Sequence, residues 1–339
     1  MDAALLLVVV WREAHNGGWQ LEILRTIGQK VATIALVVVA ATFFLSCLIR
    51  LLPGDPAVIM VPNGIPESIE RIRHLSGLDR NVFGYFWKWL SGMLTGDFGY
   101  YYASSGDNPV SDVLKKALPT SAILVLYVQF VALLISVPLG LVSAYREGTR
   151  FDRVTQSTLF TLSSIPGFVT AVILTWLLSL KFNLLPPLDY VSFRENPVEH
   201  FKHLIMPVAS LSIGLIASYT RLLRADVIAT LKEDYVMMAT SKGITNRRIL
   251  WKHVLRPSST TLLTSAALNM GALIGGTIVI EIIFNLPGFG YEIAAAIVQR
   301  QVVALQTLIA IVSFIYVFFN SMVDVVANII DPRTRERRA

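Results

Sequence analysis

Asp234-Tyr-Val-Met-Met-Ala-Thr-Ser-Lys-Gly-Ile-Thr-Asn-Arg-Arg-Ile-Leu-Trp-Lys-His-Val-Leu-Arg-Pro257 is a polar, basic stretch set between two very apolar runs. Tyr235, Met238 and Ala239 recur at i, i+3 and i+4, the spacing of one helical face. Gly243 then ends or bends that helix, because glycine enters the left-handed conformation at a helix C-terminus at little steric cost. Thr245 or Asn246 can cap a second helix, Arg247 to Arg256, that leads into the next apolar run. The stretch predicts two short helices meeting at an angle. A helix of about nine residues is ~13 Å long, a size that fits a groove on another protein. The plainer reading is a charged loop that only follows the rule for basic residues beside membrane spans.

Composition supports a membrane setting. Of 339 residues, 54% are hydrophobic and 15% charged, with mean hydropathy +0.60. Soluble domains carry about a quarter charged residues, so the class is an all-α polytopic membrane protein. The net charge of +6 does not point to nucleic acid. Lys and Arg sit beside apolar runs, where they fix orientation and meet anionic headgroups. Cys47 is the single cysteine, so neither an internal disulfide nor a thiol metal site can form. Residues 3–10 are apolar but short and lack a basic flank, which reads as an amphipathic or disordered leader rather than a signal peptide.

Six runs reach the ~20 residues needed to cross the hydrocarbon core: 31–52, 120–144, 155–180, 204–223, 262–284 and 302–328. They divide the chain into an N-terminal extension (1–30), a first span (31–52), an outer segment (53–119), a membrane core (120–330) containing the basic segment 224–261, and a tail (331–339). With the N-terminus inside, the inner segments hold eighteen Lys and Arg, and the short outer segments hold four. The long outer segment is discounted because long loops translocate largely regardless of charge. The expected topology is N-in, C-in.

Few charges enter the spans. Arg50, Glu281 and Asp324 fall near span ends and read as interfacial or interhelical anchors, not as a relay deep in the bilayer. Pro138, Pro166 and Pro207 can kink their helices. Gly271 and Gly275 form a small-xxx-small pair that permits close helix approach. In the outer segment, Phe83, Phe86, Trp87, Trp89 and Leu90 predict an amphipathic helix at the membrane surface. Tyr100, Tyr101 and Tyr102 read as an exposed aromatic loop, either a contact for a binding protein or its cargo, or a membrane-interface belt. His200 and His203 lack carboxylate support for a metal. The sequence contains no G-x-x-x-x-G-K-[ST] phosphate loop and no evident catalytic set, so no enzyme activity, metal or cofactor is expected of this chain.

The quoted stretch resembles the cytoplasmic motif of ABC importer permeases: Glu-Ala-Ala, a short spacer, Gly, a longer spacer and Ile-x-Leu-Pro. Ala239 and Gly243 match the second Ala and the Gly. Met237 and Met238 replace the Glu and first Ala, and Pro257 falls one place late. The fit is closer to the version in the dipeptide/oligopeptide/nickel permease branch, at Asp234, Tyr235, Val236, Ala239, Lys242, Gly243, Arg247, Arg248, His253 and Arg256. Further blocks resemble that branch in order: Leu52-Pro-Gly-Asp-Pro-Ala57, Gly77-Leu-Asp-Arg80, Gly96-Asp-Phe-Gly99, Ser164-Ile-Pro166, Glu281-Ile-Ile-Phe-Asn-Leu-Pro-Gly-Phe-Gly290, Val323-Asp324 and Asp331-Pro-Arg333. The first 30 residues lie outside this resemblance.

The resemblance implies a type I importer bundle of six spans. It implies a second related permease subunit, two ATP-binding subunits that hold the ATP and Mg, and a binding protein outside an inner membrane. Asp234, Tyr235, Met238, Ala239, Lys242, Gly243, Arg247 and Arg248 would then couple to an ATPase. Tyr235 and Met238 would pack in its groove, while Arg247 and Arg248 would meet either acidic groups or lipid headgroups. An ion-coupled secondary transporter and a non-transport scaffold are the alternatives. The cargo (dipeptide, oligopeptide, glutathione, nickel complex or another solute) is not readable from the chain.

Overall fold

The structure, a computed structural model, describes residues 18–51, 53–61, 64–102 and 106–330. The expected leader at 3–10, the tail 331–339 and the block Asp331-Pro-Arg333 lie outside these residues, as does the side chain of Asp324. The described chain is almost wholly helical, with one two-residue β ladder.

Four helices are long and apolar enough to cross a membrane. They lie within α1 (Gly18–Leu51), α5 (Val110–Tyr145), α8 (Pro197–Leu231) and α14 (Val302–Ile330). α1 begins well before the expected start of the first span, and its apolar part begins at Gly28. The expected straight span 155–180 is broken. α6 (Arg150–Ser163) meets α7 (Gly167–Leu174) and a π-helical extension (Thr175–Lys181) at 94°. The cause sits in Ser163-Ser164-Ile165-Pro166. Both serine hydroxyls bond back to Phe160 O at 2.9 Å. Pro166 lacks a donor and biases Ile165 away from helix.

The run expected at 262–284 is also divided, into α11 (Leu255–Gly276) and α12 (Ile278–Ile283). α11 is rich in Ser, Thr and Gly and falls short of the apolarity of a lipid-facing span. It is packed instead against α5, α8 and α14. By length and composition the described residues therefore hold four spans, or five if the bent pair counts as one.

Small residues set the closest approaches. A Cβ on Gly140 would lie 3.2 Å from Thr220 O, so glycine there brings α5 onto α8. Gly271 similarly faces Tyr316 O at 3.4 Å and brings α11 onto α14, whereas Gly275 faces open space. Of the expected small-residue pair, only Gly271 marks a close crossing.

Residues between α1 and α5 form a small folded unit. It contains α2 (Pro56–Met60), α3 (Pro66–Ser76), α4 (Val82–Leu94) and the antiparallel strands β1 (Tyr100–Tyr101) and β2 (Asn108–Pro109). Asp55 caps α2 through the Ala57 N–H at 2.9 Å and pairs with Arg73. Tyr85, Phe86 and Trp89 of α4 are buried, and Phe83 and Trp87 are exposed. The expected surface helix thus has two apolar faces, one in the core and one turned outward.

Candidate functional site

The basic segment forms an elbow between α8 and α11. α8 ends at Leu231, Glu233 is extended, and α9 runs Asp234–Ser241. Gly243 stops α9 with φ +73°. The Gly243 N–H reaches Thr240 O at 3.0 Å and the Ile244 N–H reaches Ala239 O at 3.3 Å. This paired pattern closes a helix on a left-handed residue and satisfies its last carbonyls. Thr245 then turns the chain into α10 (Asn246–Arg248), with no side-chain cap bond from Thr245. A π-helical turn, Ile249–Val254, joins α10 to α11. The two short helices expected from sequence are present, and the second is continuous with α11.

The face read from spacing is divided. Val236 (4% exposed) and Ala239 (8%) point inward with Ile249 and Val254, onto Leu141, Ala144, Tyr219, Leu223 and Val227. Ala239 is therefore not on the outer face with Tyr235 and Met238. Tyr235, Met237, Met238 and Trp251 are exposed. The helix is apolar on both sides, so the i, i+3, i+4 pattern alone cannot separate them. Asp234, Lys242, Arg247, Arg248 and Lys252 are exposed, and none forms an ion pair among the described residues. Asn246 Nδ2 donates to Tyr145 Oη at 2.5 Å, tying the elbow to the end of α5.

Beneath the elbow is a contact that sequence reading missed. Arg224 of α8 grips Asp152 of α6 with two bonds, Nε to Oδ1 at 2.8 Å and Nη2 to Oδ2 at 2.7 Å. Ser143 Oγ and the Gly148 N–H complete the carboxylate, at 2.6 and 3.0 Å. A bidentate pair of this kind is both strong and directional, and it joins α5, α6 and α8 at the base of the elbow.

At the other end of α11, Glu281 is fully buried. Its Oε1 accepts Ser121 Oγ at 2.7 Å and Thr277 Oγ1 at 2.9 Å, and its Oε2 accepts the Tyr291 N–H at 3.0 Å. Ser121 Oγ in turn accepts the Phe289 N–H at 2.7 Å. A Cβ on Gly288 would overlap the Glu281 carboxylate, and one on Gly290 would lie 2.5 Å from Ile278 Cα. These two glycines fold Leu286–Gly290 over the carboxylate and lead into α13 (Phe289–Val298). Of the two readings given from its place near a span end, interfacial or interhelical anchor, Glu281 fits the second: it is a buried hub that ties α12 to α5 through Ser121.

The tyrosine run also differs from a uniformly exposed loop. Tyr100 is exposed. Tyr101 is half-buried, with its hydroxyl 3.4 Å from Glu292. Tyr102 is 5% exposed, and its backbone exchanges bonds with the Gln301 amide at 2.9 and 2.7 Å. His200 and His203 serve structure. His200 Nδ1 meets Val191 O at 2.7 Å and His203 Nδ1 meets Leu188 O at 3.0 Å. No group of three or more metal-binding side chains occurs among the described residues.

Comparison with known proteins bears on all these regions. Residues 136–336 match the family described as binding-protein-dependent transport system inner membrane component. Residues 20–125 match the N-terminal membrane component of the same systems, so similarity reaches into the first 30 residues. A putative peptide transport system permease protein of Brucella abortus (strain 2308) is 32% identical over 314 residues, 92% of this chain and 98% of the relative. An oligopeptide transport system permease protein of Bacillus subtilis (strain 168) is 31% identical over 289 residues, 84% of this chain and 91% of its own. A glutathione transport system permease protein of Escherichia coli (strain K12) is 29% identical over 301 residues, 88% and 94% of the two chains.

Proposed function

We propose a function from one premise: the chain belongs to the binding-protein-dependent transport system inner membrane component family. It is an inner-membrane permease subunit of an importer. The proposed cargo is a peptide, in keeping with the names of the relatives. The proposed arrangement has six crossings with both termini in the cytoplasm, taking α11–α12 as a crossing shielded by its neighbours. A second related permease subunit completes the pathway, a binding protein delivers cargo from outside, and two ATP-binding subunits drive it.

The observation that carries this reading is the elbow. α9 displays Tyr235, Met237 and Met238 outward while Val236 and Ala239 root it in the bundle core. In this reading the exposed residues enter a cleft of an ATPase, and Lys242, Arg247 and Arg248 lie beside its rim. Closure of the ATPase pair pulls α9, and the rooted side and the Asp152–Arg224 grip pass that motion to α5, α6 and α8. Rigid-body rocking of this kind alternates access to the pathway.

Met238→Asp tests the docking without disturbing the core, because Met238 is 58% exposed. Burying an unpaired carboxylate in an apolar cleft forfeits the ~1.5–3 kcal/mol of methionine burial and adds a desolvation cost. The expected result is a permease that reaches the membrane in normal amounts but no longer copurifies with the ATPases, with uptake down by at least about tenfold. Normal ATPase recruitment and normal ATP-driven uptake in this variant contradict the assignment.

A further inference from the structure

Beside the bundle, α3, α4, the β1–β2 region and Val303 of α14 line a half-open cavity of about 560 Å³. Small-molecule sites occupy about 300–1,000 Å³. The wall combines two cations, Arg71 and Lys88, two carboxylates, Asp97 and Asp107, and the rings of Tyr100 and Tyr102. Arg71 Nη2 lies 3.0 Å from Asp107 Oδ2, yet its side chain is 64% exposed and open to a further partner. Lys88 Nζ donates to His74 O at 2.9 Å and Leu75 O at 2.7 Å. Those bonds hold the ammonium at the end of α3 and leave one of its three donors unused. Asp97 Oδ1 accepts the Gly99 N–H at 2.9 Å, and its second oxygen has no bond among the described residues.

Tyr102 adds a polar group to the cavity wall. The residue is 95% covered and its backbone is fixed on both sides by Gln301, but its hydroxyl has no hydrogen-bond partner among the described residues. Burial, then the charges of Asp107 and Asp97, pushes this phenol up to about 12. It therefore stays protonated, able to donate and accept. The Tyr100 ring lies 6.4 Å from it, tilted by 40°, so two aromatic faces border the carboxylates.

A wall with balanced charge disfavours a simple anion or a simple cation. It suits a molecule that carries both charges a short distance apart. We propose that this cavity binds a short zwitterionic peptide. Its α-ammonium lies between Asp97, Asp107 and the tyrosine rings, and its α-carboxylate meets Lys88 and Arg71. Two extended residues span at most ~7 Å, well within the cavity, and Trp89 and Val303 give a side chain an apolar wall. The tyrosine faces add cation–π attraction to the ammonium. The site would hold cargo at the outer surface before it enters the bundle. The proposal rests on the peptide reading of the cargo given above.

The test is equilibrium dialysis of radiolabelled L-alanyl-L-alanine against the assembled transporter in nanodiscs, without the binding protein. Asp97→Asn keeps the Gly99 acceptor, and Tyr102→Phe keeps the ring packing, so both variants should fold. The expected result is saturable binding that each variant weakens by about tenfold, the loss of one charge-assisted or buried hydrogen bond. N-acetyl-dialanine amide, with neither charge, should not bind. Binding that both variants leave unchanged, or equal binding of the doubly capped peptide, overturns the proposal. So does wild-type transporter that binds no dipeptide while Asp97→Asn loses the binding protein, because the cavity then serves protein docking. ATP-driven uptake with the binding protein, measured in parallel, separates the two readings. Peptide uptake without cavity binding sinks the cavity alone, and cavity binding without uptake of any peptide sinks the cargo reading alone.

Discussion

The two ends of α11 are built in opposite ways. At Leu255 it emerges from a π-helical turn and an exposed elbow, with α9 attached by two buried side chains and α10 by a tyrosine–asparagine bond. At Gly276 it enters a corner where one buried carboxylate gathers two hydroxyls and a backbone N–H, and two glycines admit the covering loop. The first end leaves apolar surface exposed and positive charge without ion-pair partners among the described residues. The second leaves its carboxylate fully paired. Interaction surface requires uncommitted groups, whereas a fixed pivot requires every group to be committed. A rod of 22 residues, ~33 Å long at the usual rise, joins the two. The contrast assigns movement to the elbow and anchoring to the Glu281 corner.

The largest expected effect comes from dismantling the anchored end. Glu281→Ala leaves Ser121 Oγ and the Tyr291 N–H without their buried acceptor, at roughly 3–5 kcal/mol in sum. Glu281→Gln should cost less but still harm, because its amide N–H₂ would face either the Tyr291 N–H or the two hydroxyls. Thermal unfolding in detergent, with proteolysis of residues 286–299 as a local readout, should rank the proteins wild type, Gln, Ala. An unchanged melting profile for Ala removes the anchor.

A smaller effect is expected at the base of the elbow. Asp152→Ala strands a largely covered guanidinium and should cost about 3 kcal/mol. It should also uncouple ATP hydrolysis from uptake, since α6 and α8 lose their grip. If stability falls but the ratio of peptide taken up to ATP hydrolysed is unchanged, the pair is structural only.

Gly243→Ala sharpens the comparison at least cost. Nothing lies within 4 Å of the added Cβ, so the penalty is conformational alone, about 1–2 kcal/mol for a left-handed alanine. The bundle should melt as wild type while α9 frays and uptake drops. Unaltered uptake means that the geometry of the elbow is not critical.

Much of the elbow was legible in the sequence because its signals are local. Gly243, the basic cluster and the apolar flanks lie within one short window. The division of α9 was not legible, since Val236, Met237, Met238 and Ala239 are all apolar and spacing cannot say which side meets the core. The break at Pro166 carried a local sign, but its angle depends on packing against α8. The Asp152–Arg224 and Ser121–Glu281 bonds join residues 72 and 160 positions apart, a separation no pattern within a window can read. The expected span at 262–284 differs in another way: it is divided into α11 and α12, and α11 carries serine, threonine and asparagine, which a helix shielded by neighbours tolerates better than a lipid-facing span.

The most direct measurement is thiol labelling of Met238→Cys in a Cys47→Ala background, with a membrane-impermeant maleimide. The expected result is no labelling from outside intact cells, labelling in inverted vesicles stripped of ATPase, and protection when the ATPase subunits are restored. Labelling from the outer side, or reactivity that restored ATPase leaves untouched, contradicts the elbow as the point where the driving subunits take hold.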